Sequence, residues 1–321
     1  MLRSLLLSLR GYQRSILPFT IGTMSDARHH VLPTLALAAA GTLWGTGFFF
    51  GKLALMEMPV TTMILFRLLF GALGLLPIVF YERPRFAGKE WGWVLAAAVL
   101  GIPVLFYVQF KGLSLTTVSH ASLMVGTLPM LLAVAAMLFS GEKLHFGGWL
   151  ALAASSLGAA LIALSSRQNS GAAHASMVGD LLVVMSMFAA ISWILISKRL
   201  MQQHSAIAVT AYVDWIGTAL LVVFVVAVYG VPSLNYSWHA WAAVAEQGIL
   251  ATAVSTILWN WGLKWVPASE AGIFVNLEPL VGAILGVSLL HENLGVMALA
   301  GGGLIIGGAV HFSRKPKRSQ H

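Results

Sequence analysis

Glu278 and Pro279 stand side by side in the middle of residues 269–294, a stretch that is otherwise almost wholly apolar. A carboxylate at the centre of a bilayer costs roughly 2.5–3.5 kcal/mol on insertion scales. An acid kept there either does chemistry or is held by partners. The chemistry open to Glu278 is to bind and release a proton or to contact a cationic group. The structural alternative is a hydrogen-bonded acid that fixes its helix. Proline has no N–H and its ring strains the preceding turn. Pro279 is therefore expected to kink its helix and free the Val275 carbonyl, and Pro129 to do the same to Val125. Broken helices at matching positions point to a transport site.

Arg67 falls inside a second apolar run. It could clamp a carboxylate bidentately, snorkel outward, or pair with an acid at similar depth such as Glu246. Asp214 sits at roughly the inverted place, to pair with Lys198 or Arg199 or to face a cavity. Trp44, Tyr107, Gln109, Trp259, Asn260 and Trp261 lie near helix ends or turns, where tryptophan and tyrosine anchor at the membrane interface or grip a flat or cationic ligand. Asn276 places an amide two residues from Glu278. The candidate substrate-binding set is Trp44, Arg67, Tyr107, Asn260, Asn276 and Glu278, with Glu278 the candidate for proton coupling.

Glu278, Gly282 and Gly286 share one helix face. Gly282/Gly286, Gly41/Gly45, Gly47/Gly51 and Gly303/Gly307 read as close helix packing. His120 is expected at the outer mouth, and Glu142 and Glu292 at helix junctions as caps. No catalytic or metal residue is assigned. His291-Glu292 is followed by Gly295 where a zinc-protease signature needs histidine, and the absence of cysteine excludes thiolate zinc and iron–sulfur sites. Without a phosphate loop there is no built-in ATPase, and no cofactor is expected. A membrane enzyme would need a convergent reactive cluster that the sequence lacks.

These residues need elements to hold them. The chain is 58% hydrophobic and 9% charged, whereas soluble domains carry about 25% charged residues. The apolar residues come in runs of about 20, the length of a membrane helix, and not in the alternation of a barrel. Ten spans follow, near 33–51, 60–80, 91–110, 119–140, 146–165, 179–197, 208–229, 240–260, 268–290 and 295–312. The chain also repeats itself at an offset of 150 residues. Ser119 meets Ser269, Pro129 meets Pro279 and Glu142 meets Glu292, without a gap from Gly112-Leu113 to Gly158-Ala159. Five helices carry the chain across, so the second copy enters the membrane upside down. Inverted repeats place a site at the midplane where they meet. The expected cavity is lined by helices one to four and six to nine.

The basic residues set the orientation. With the N-terminus inside, fifteen of the 19 lie on the cytoplasmic side, and only Lys52, Lys111 and Arg167 outside. Both termini are expected in the cytoplasm. The net charge of +8 is then a topology signal, and the basic tail needs no nucleic acid. The leader reads either as a basic amphipathic surface helix or as sequence upstream of a true start at Met24.

The stretch LWGTGFFFGKLAL resembles the tryptophan-glycine entry of the EamA-like branch of the drug/metabolite transporter superfamily. FRLLFGALGLLP resembles its arginine-led second helix. ASLMVGTLPMLLAVAAMLFSGEKL and AGIFVNLEPLVGAILGVSLLHENL resemble its paired blocks, each with a midhelix proline and a terminal glutamate. The match runs from residue 34 to about 312. It implies a secondary carrier, usually an exporter of metabolites or drugs, working without ATP and with no particular substrate. The first block departs from the second in having Leu128 where Glu278 stands, so charge at that level is one-sided.

The expectation is thus an all-α integral membrane protein of ten transmembrane helices in two inverted five-helix repeats. Its parts are a leader at 1–32, a first EamA-like repeat at 33–165, an outer linker at 166–178, a second repeat at 179–312 and a basic tail at 313–321. The function expected is export of a small organic metabolite or drug by alternating access at the cell membrane, with proton coupling through Glu278. The alternatives are a passive facilitator or channel of the same fold, and a membrane accessory subunit or enzyme. The partners are a small-molecule substrate and the bilayer, with a homodimer left open.

Overall fold

A computed structural model of the chain describes residues 26–82, 84–115, 125–167, 176–290 and 296–313. Among the described residues there are helices and connections and no strand. In lipid each backbone N–H and C=O must be satisfied within its own segment, which apolar runs achieve as helices. They are α1 (Asp26–Leu55), α2 (Val60–Tyr81), α3 (Gly88–Val99), α4 (Leu105–Leu115), α5 (Leu128–Ser140), α6 (Phe146–Arg167), α7 (Met177–Leu200), α8 (Ala206–Tyr229), α9 (Trp238–Gly248), α10 (Ser255–Trp265), α11 (Ala268–Ala271), α12 (Leu277–Leu290) and α13 (Val296–Ser313). Among the described residues, six helical stretches are long and apolar enough to cross a membrane: Val31–Leu55, Val60–Tyr81, Gly88–Gly112, Met177–Leu200, Ala206–Tyr229 and Trp238–Trp265.

Three joins between these helices are irregular. A π-helical segment, Leu100–Val104, links α3 to α4, and a second one, Ile249–Val254, links α9 to α10. Shifted by the 150 residues of the sequence repeat, the first falls on residues 250–254, inside the second. A 3₁₀ segment, Gly272–Asn276, links α11 to α12.

The prolines behave otherwise than expected. Pro129 lies in the first turn of α5, after the turn at Gly126-Thr127, and Pro279 lies in the first turn of α12. A missing N–H costs nothing in a first turn, where that group has no partner within the helix anyway. Both prolines therefore start a helical segment instead of kinking one. The Leu277 N–H bonds back to the Phe274 carbonyl, three residues earlier, and so closes the 3₁₀ segment.

The packing repeats as the sequence does. Helix α4 packs on α7, and its counterpart α10 packs on α1. Helix α3 packs on α8, and its counterpart α9 packs on α2, while α2 and α8 meet each other and α6 lies along α13. The closest approaches follow suit. A Cβ at Gly71 would lie 3.1 Å from the Gly248 carbonyl oxygen, and one at Gly217 would lie 2.7 Å from the Ala98 carbonyl oxygen. Residues 98 and 248 are again 150 apart. Of the expected glycine contacts, Gly41, Gly45, Gly47 and Gly51 do meet other helices. Gly282, Gly303 and Gly307 have nothing within 4 Å of an added Cβ, and the α6–α13 contact is made by Gly158 and Gly301 instead.

One end of the assembly is cross-tied. Lys198 Nζ donates to Glu142 Oε1 at 2.8 Å and to the Val266 carbonyl at 3.0 Å. The same carboxylate accepts from the N–H groups of Ala268 (3.2 Å) and Ser269 (2.9 Å), which open α11. Glu142 is thus the cap the sequence suggested. Burial pushes its carboxyl up, but Lys198's charge and the hydrogen bonds from Lys198 and Ser269 outweigh it and hold the group below its ordinary value of 4.5. The counterpart Glu292, His120, His291, the 1–25 leader and the 314–321 tail lie outside the described residues.

Candidate functional site

The π segment between α9 and α10 builds the polar centre. Its wide turn lets the Thr252 hydroxyl donate to the Gln247 carbonyl, five residues back, at 2.9 Å. The same hydroxyl accepts from Arg67 Nε at 3.0 Å, and the Ala251 carbonyl accepts from Arg67 Nη2 at 3.5 Å. The guanidinium carbon lies 5.1 Å from the centre of the Phe106 ring. Arg67 is therefore fixed across from α2 to the π turn, and does not snorkel outward. π-helical turns recur at functional sites because they expose backbone groups that an α-helix would use internally.

Two carboxylates share this cation's field. Glu246 on α9 and Glu278 on α12 both interact electrostatically with Arg67, and among the described residues neither is in ion-pair contact with it. Glu246 Oε1 accepts from Thr46 Oγ1 of α1 at 2.8 Å, and its Oε2 is buried without a partner. Gln247 Nε2 donates to the Gly47 carbonyl at 3.0 Å, and Gln247 Oε1 is likewise unpartnered. Glycines let α1 come this close. A Cβ at Gly45 would lie 2.8 Å from the Glu278 carbonyl oxygen, and a Cβ at Gly41 would run into the Phe274 carbonyl. The site so formed has one guanidinium, two carboxylates, two hydroxyls and an amide, set around α1, on which α2, α9 and α12 each pack. It can hold a charged or hydrogen-bonding group.

The six residues singled out from sequence divide. Arg67 and Glu278 belong to this centre. Trp44 stands beside it on α1, with its ring 5.0 Å from that of Trp259. Trp259 is fully buried and is no interface anchor. Asn260 faces α8, donating from Nδ2 to Thr210 Oγ1 at 2.7 Å. Asn276 faces α6, donating to Ser155 Oγ at 2.9 Å; both amides are buried and tie helices together. Tyr107 is drawn away to the α8 end, where its hydroxyl meets that of Tyr229 at 2.6 Å. Its neighbour Phe106 is the aromatic that reaches Arg67. Asp214 does not pair with Lys198 or Arg199: the first is bound to Glu142, and the second stacks on Trp93 at 4.8 Å. A cavity of about 460 Å³ lies between α2, α8 and α9, lined by Phe66, Phe70, Trp215, Thr218 and Trp241 among others. It is apolar, unlike the polar midplane cavity expected.

Sequence reading missed Thr46, Gln247 and Thr252. Thr46 and Thr252 are single polar residues in apolar runs and Gln247 stands in the shadow of Glu246; only the π turn and the packing of α1 give them partners. A faint signal existed in Pro103, a proline inside the matching segment of the first repeat.

The family model for the EamA-like transporter family matches the chain twice, over residues 32–164 and 177–314. An uncharacterized transporter of Archaeoglobus fulgidus is 23% identical over 284 residues, which covers 85% of this chain and 94% of that one. The uncharacterized transporter YetK of Bacillus subtilis is 25% identical over 281 residues, covering 85% of this chain and 84% of its own. A protein of known crystal structure superposes with a TM-score of 0.72 at 19% identity, over 87% of this chain and 95% of the other, a likeness of fold.

Proposed function

This chain belongs to the EamA-like transporter family, and on that premise we propose that it is a secondary carrier that exports a small organic solute by alternating access. It is a multi-pass membrane protein. The proposal takes the chain to cross ten times, as two five-helix halves of opposite orientation, with both termini in the cytoplasm of a cell whose plasma membrane it occupies. The split of basic residues supports the orientation, and the exchanged packing of the two halves supports the repeat.

The observation that carries the reading is the Arg67–Glu246–Glu278 centre. Charges inside a membrane protein are rare and face an interior pathway. Here they hang on the irregular segments of two helices, Ile249–Val254 and Gly272–Asn276, where transporters build their binding sites. Coupling follows if Glu278 takes up a proton from one side and gives it up on the other while Arg67 faces whichever charge remains.

The test is reconstitution. A solute is found by thermal-shift screening of amino acids, amines and common drugs, and its counterflow is measured in proteoliposomes. A carrier accumulates labelled solute uphill during counterflow, whereas a passive facilitator of the same fold only equilibrates it. Glu278→Gln keeps the side-chain shape and removes the titrating group. Counterflow should survive in this variant, and accumulation driven by a pH gradient should be lost. Unchanged pH-driven accumulation removes the proton step.

A further inference from the structure

The cavity of about 460 Å³ between α2, α8 and α9 takes no part in the polar centre. Its α2 wall is the ridge Phe66, Leu69, Phe70 and Leu73. Its α8 wall is Trp215, Thr218, Ala219 and Val222, with the same spacing. That spacing is one face of a helix. Arg67 stands off the α2 ridge and turns to Thr252, so the centre and the cavity lie on different faces of α2. The walls are held in place. Trp241 of α9 meets Phe66 with ring centres 4.7 Å apart and Tyr236 at 6.2 Å. Helix α2 already rests on α9, since a Cβ at Gly71 would lie 3.1 Å from the Gly248 carbonyl oxygen. Packed core continues beyond each end, with Leu75 and Ala211 on one side and Leu65 and Leu221 on the other. The hollow therefore cannot close by settling.

What fills it follows from where it opens. Leu73 is 55% exposed, and Ala219 on the facing wall is exposed as well. Both stand near the middles of the spans Val60–Tyr81 and Ala206–Tyr229. In a multi-pass membrane protein that depth is hydrocarbon. Water is a poor occupant there, because it needs about two to four polar partners. Among the described residues the lining has no charged group and one hydroxyl, that of Thr218, and the Trp215 indole N–H is itself buried. A charged or strongly polar solute fares no better. An acyl chain needs no hydrogen bond and lies at the mouth already. Lipid tails are as apolar as leucine, so no water-driven force pulls a chain in. The gain is dispersion contact, which the ring walls forfeit wherever they face a gap.

We propose that this cavity seats an acyl chain of a membrane lipid, which enters sideways between Leu73 and Ala219 and lies against Phe66, Phe70, Trp215 and Trp241. Helix α2 belongs to the first family match and α8 and α9 to the second, so the chain lies across the seam between the two repeats. The seat is a property of the folded protein in its bilayer and does not depend on the carrier reading.

The experiment reconstitutes the full chain in phosphatidylcholine vesicles, with and without bromine midway along one acyl chain. Bromine quenches tryptophan emission on contact. The emission of Trp215 is read as the difference between a protein and the same protein carrying Trp215→Phe, which keeps an aromatic ring in the wall. In the wild type this emission is expected to be lost in the brominated lipid. Ala219→Phe puts a ring into the mouth, and Val222→Phe fills the hollow from further along the same ridge. Ala219 is exposed and Val222 half-buried, so both changes have room to fold. Each is expected to shield Trp215 and to restore its emission in the brominated lipid. Equal quenching in the wild type and in the filled variants overturns the proposal, because the bromine then touches Trp215 only from outside. Unquenched Trp215 in the wild type overturns it too, whether water or a second copy of the chain keeps the lipid out. If one filled variant does not fold, the other decides. Counterflow plays no part in the readout, so failure here and failure of the carrier reading are told apart.

Discussion

At Arg67 the guanidinium spans from its own helix to Thr252 Oγ1 and the Ala251 carbonyl while lying against Phe106. Lysine has neither the Nε donor nor the planar fork. Arg67→Lys should therefore lose a hydrogen bond to a charged donor, worth about 1.5–3 kcal/mol, and loosen the contact between α2 and the π turn. The readouts are the melting temperature of the purified protein and the rate of counterflow, both of which should fall; an unchanged melting temperature contradicts the anchoring. The presence of Arg67 and Glu278 at the centre was legible in sequence, because a charge in an apolar run advertises itself. Their partners were not. Thr252 becomes an acceptor only through a turn with five-residue hydrogen bonding, and Thr46 finds Glu246 across 200 residues of chain. Asn260, Asn276 and Tyr107 show the converse. Their chemistry was visible, but what they face depends on helix rotation, which an all-apolar helix does not encode in its sequence pattern.

At the scale of helices, the contact of α1 with the α12 segment decides how close Glu278 comes to the rest of the centre. Gly41 and Gly45 sit against the Phe274 carbonyl and against Glu278 and Val281, whereas Gly282 stands in open space. Gly41→Ala drives a methyl into backbone that cannot step aside and should cost roughly 1–3 kcal/mol. Gly282→Ala meets nothing and should be neutral or slightly stabilising, since alanine is the better helix former. Thermal unfolding of the two variants checks the pair, and equal losses would count against this contact. The sequence had marked all these glycines alike, because spacing identifies a small-residue face without saying whether another helix covers it. It likewise marked Pro129 and Pro279 as kinks. A proline reads the same at a first turn as inside a helix, and the preceding turn or 3₁₀ segment carries no signature of its own. The repeat, by contrast, was legible to the residue, and the two π segments 150 residues apart show that it extends to backbone irregularities.

At the scale of the whole molecule, the account stands on two halves that exchange contacts around one polar centre. In the proposed carrier this pair rocks, and rocking shows the centre first to one side of the membrane and then to the other. The chain contains no cysteine, so a single one reports on its own position without a mutated background. Thr46 is the place for it, beside Glu246 and off the irregular segments. The direct measurement is labelling of Thr46→Cys by a membrane-impermeant maleimide in right-side-out and in inside-out vesicles. The account predicts labelling from both sides, with saturating solute altering the two rates in opposite directions. Labelling from one side alone, whatever the solute, would contradict it.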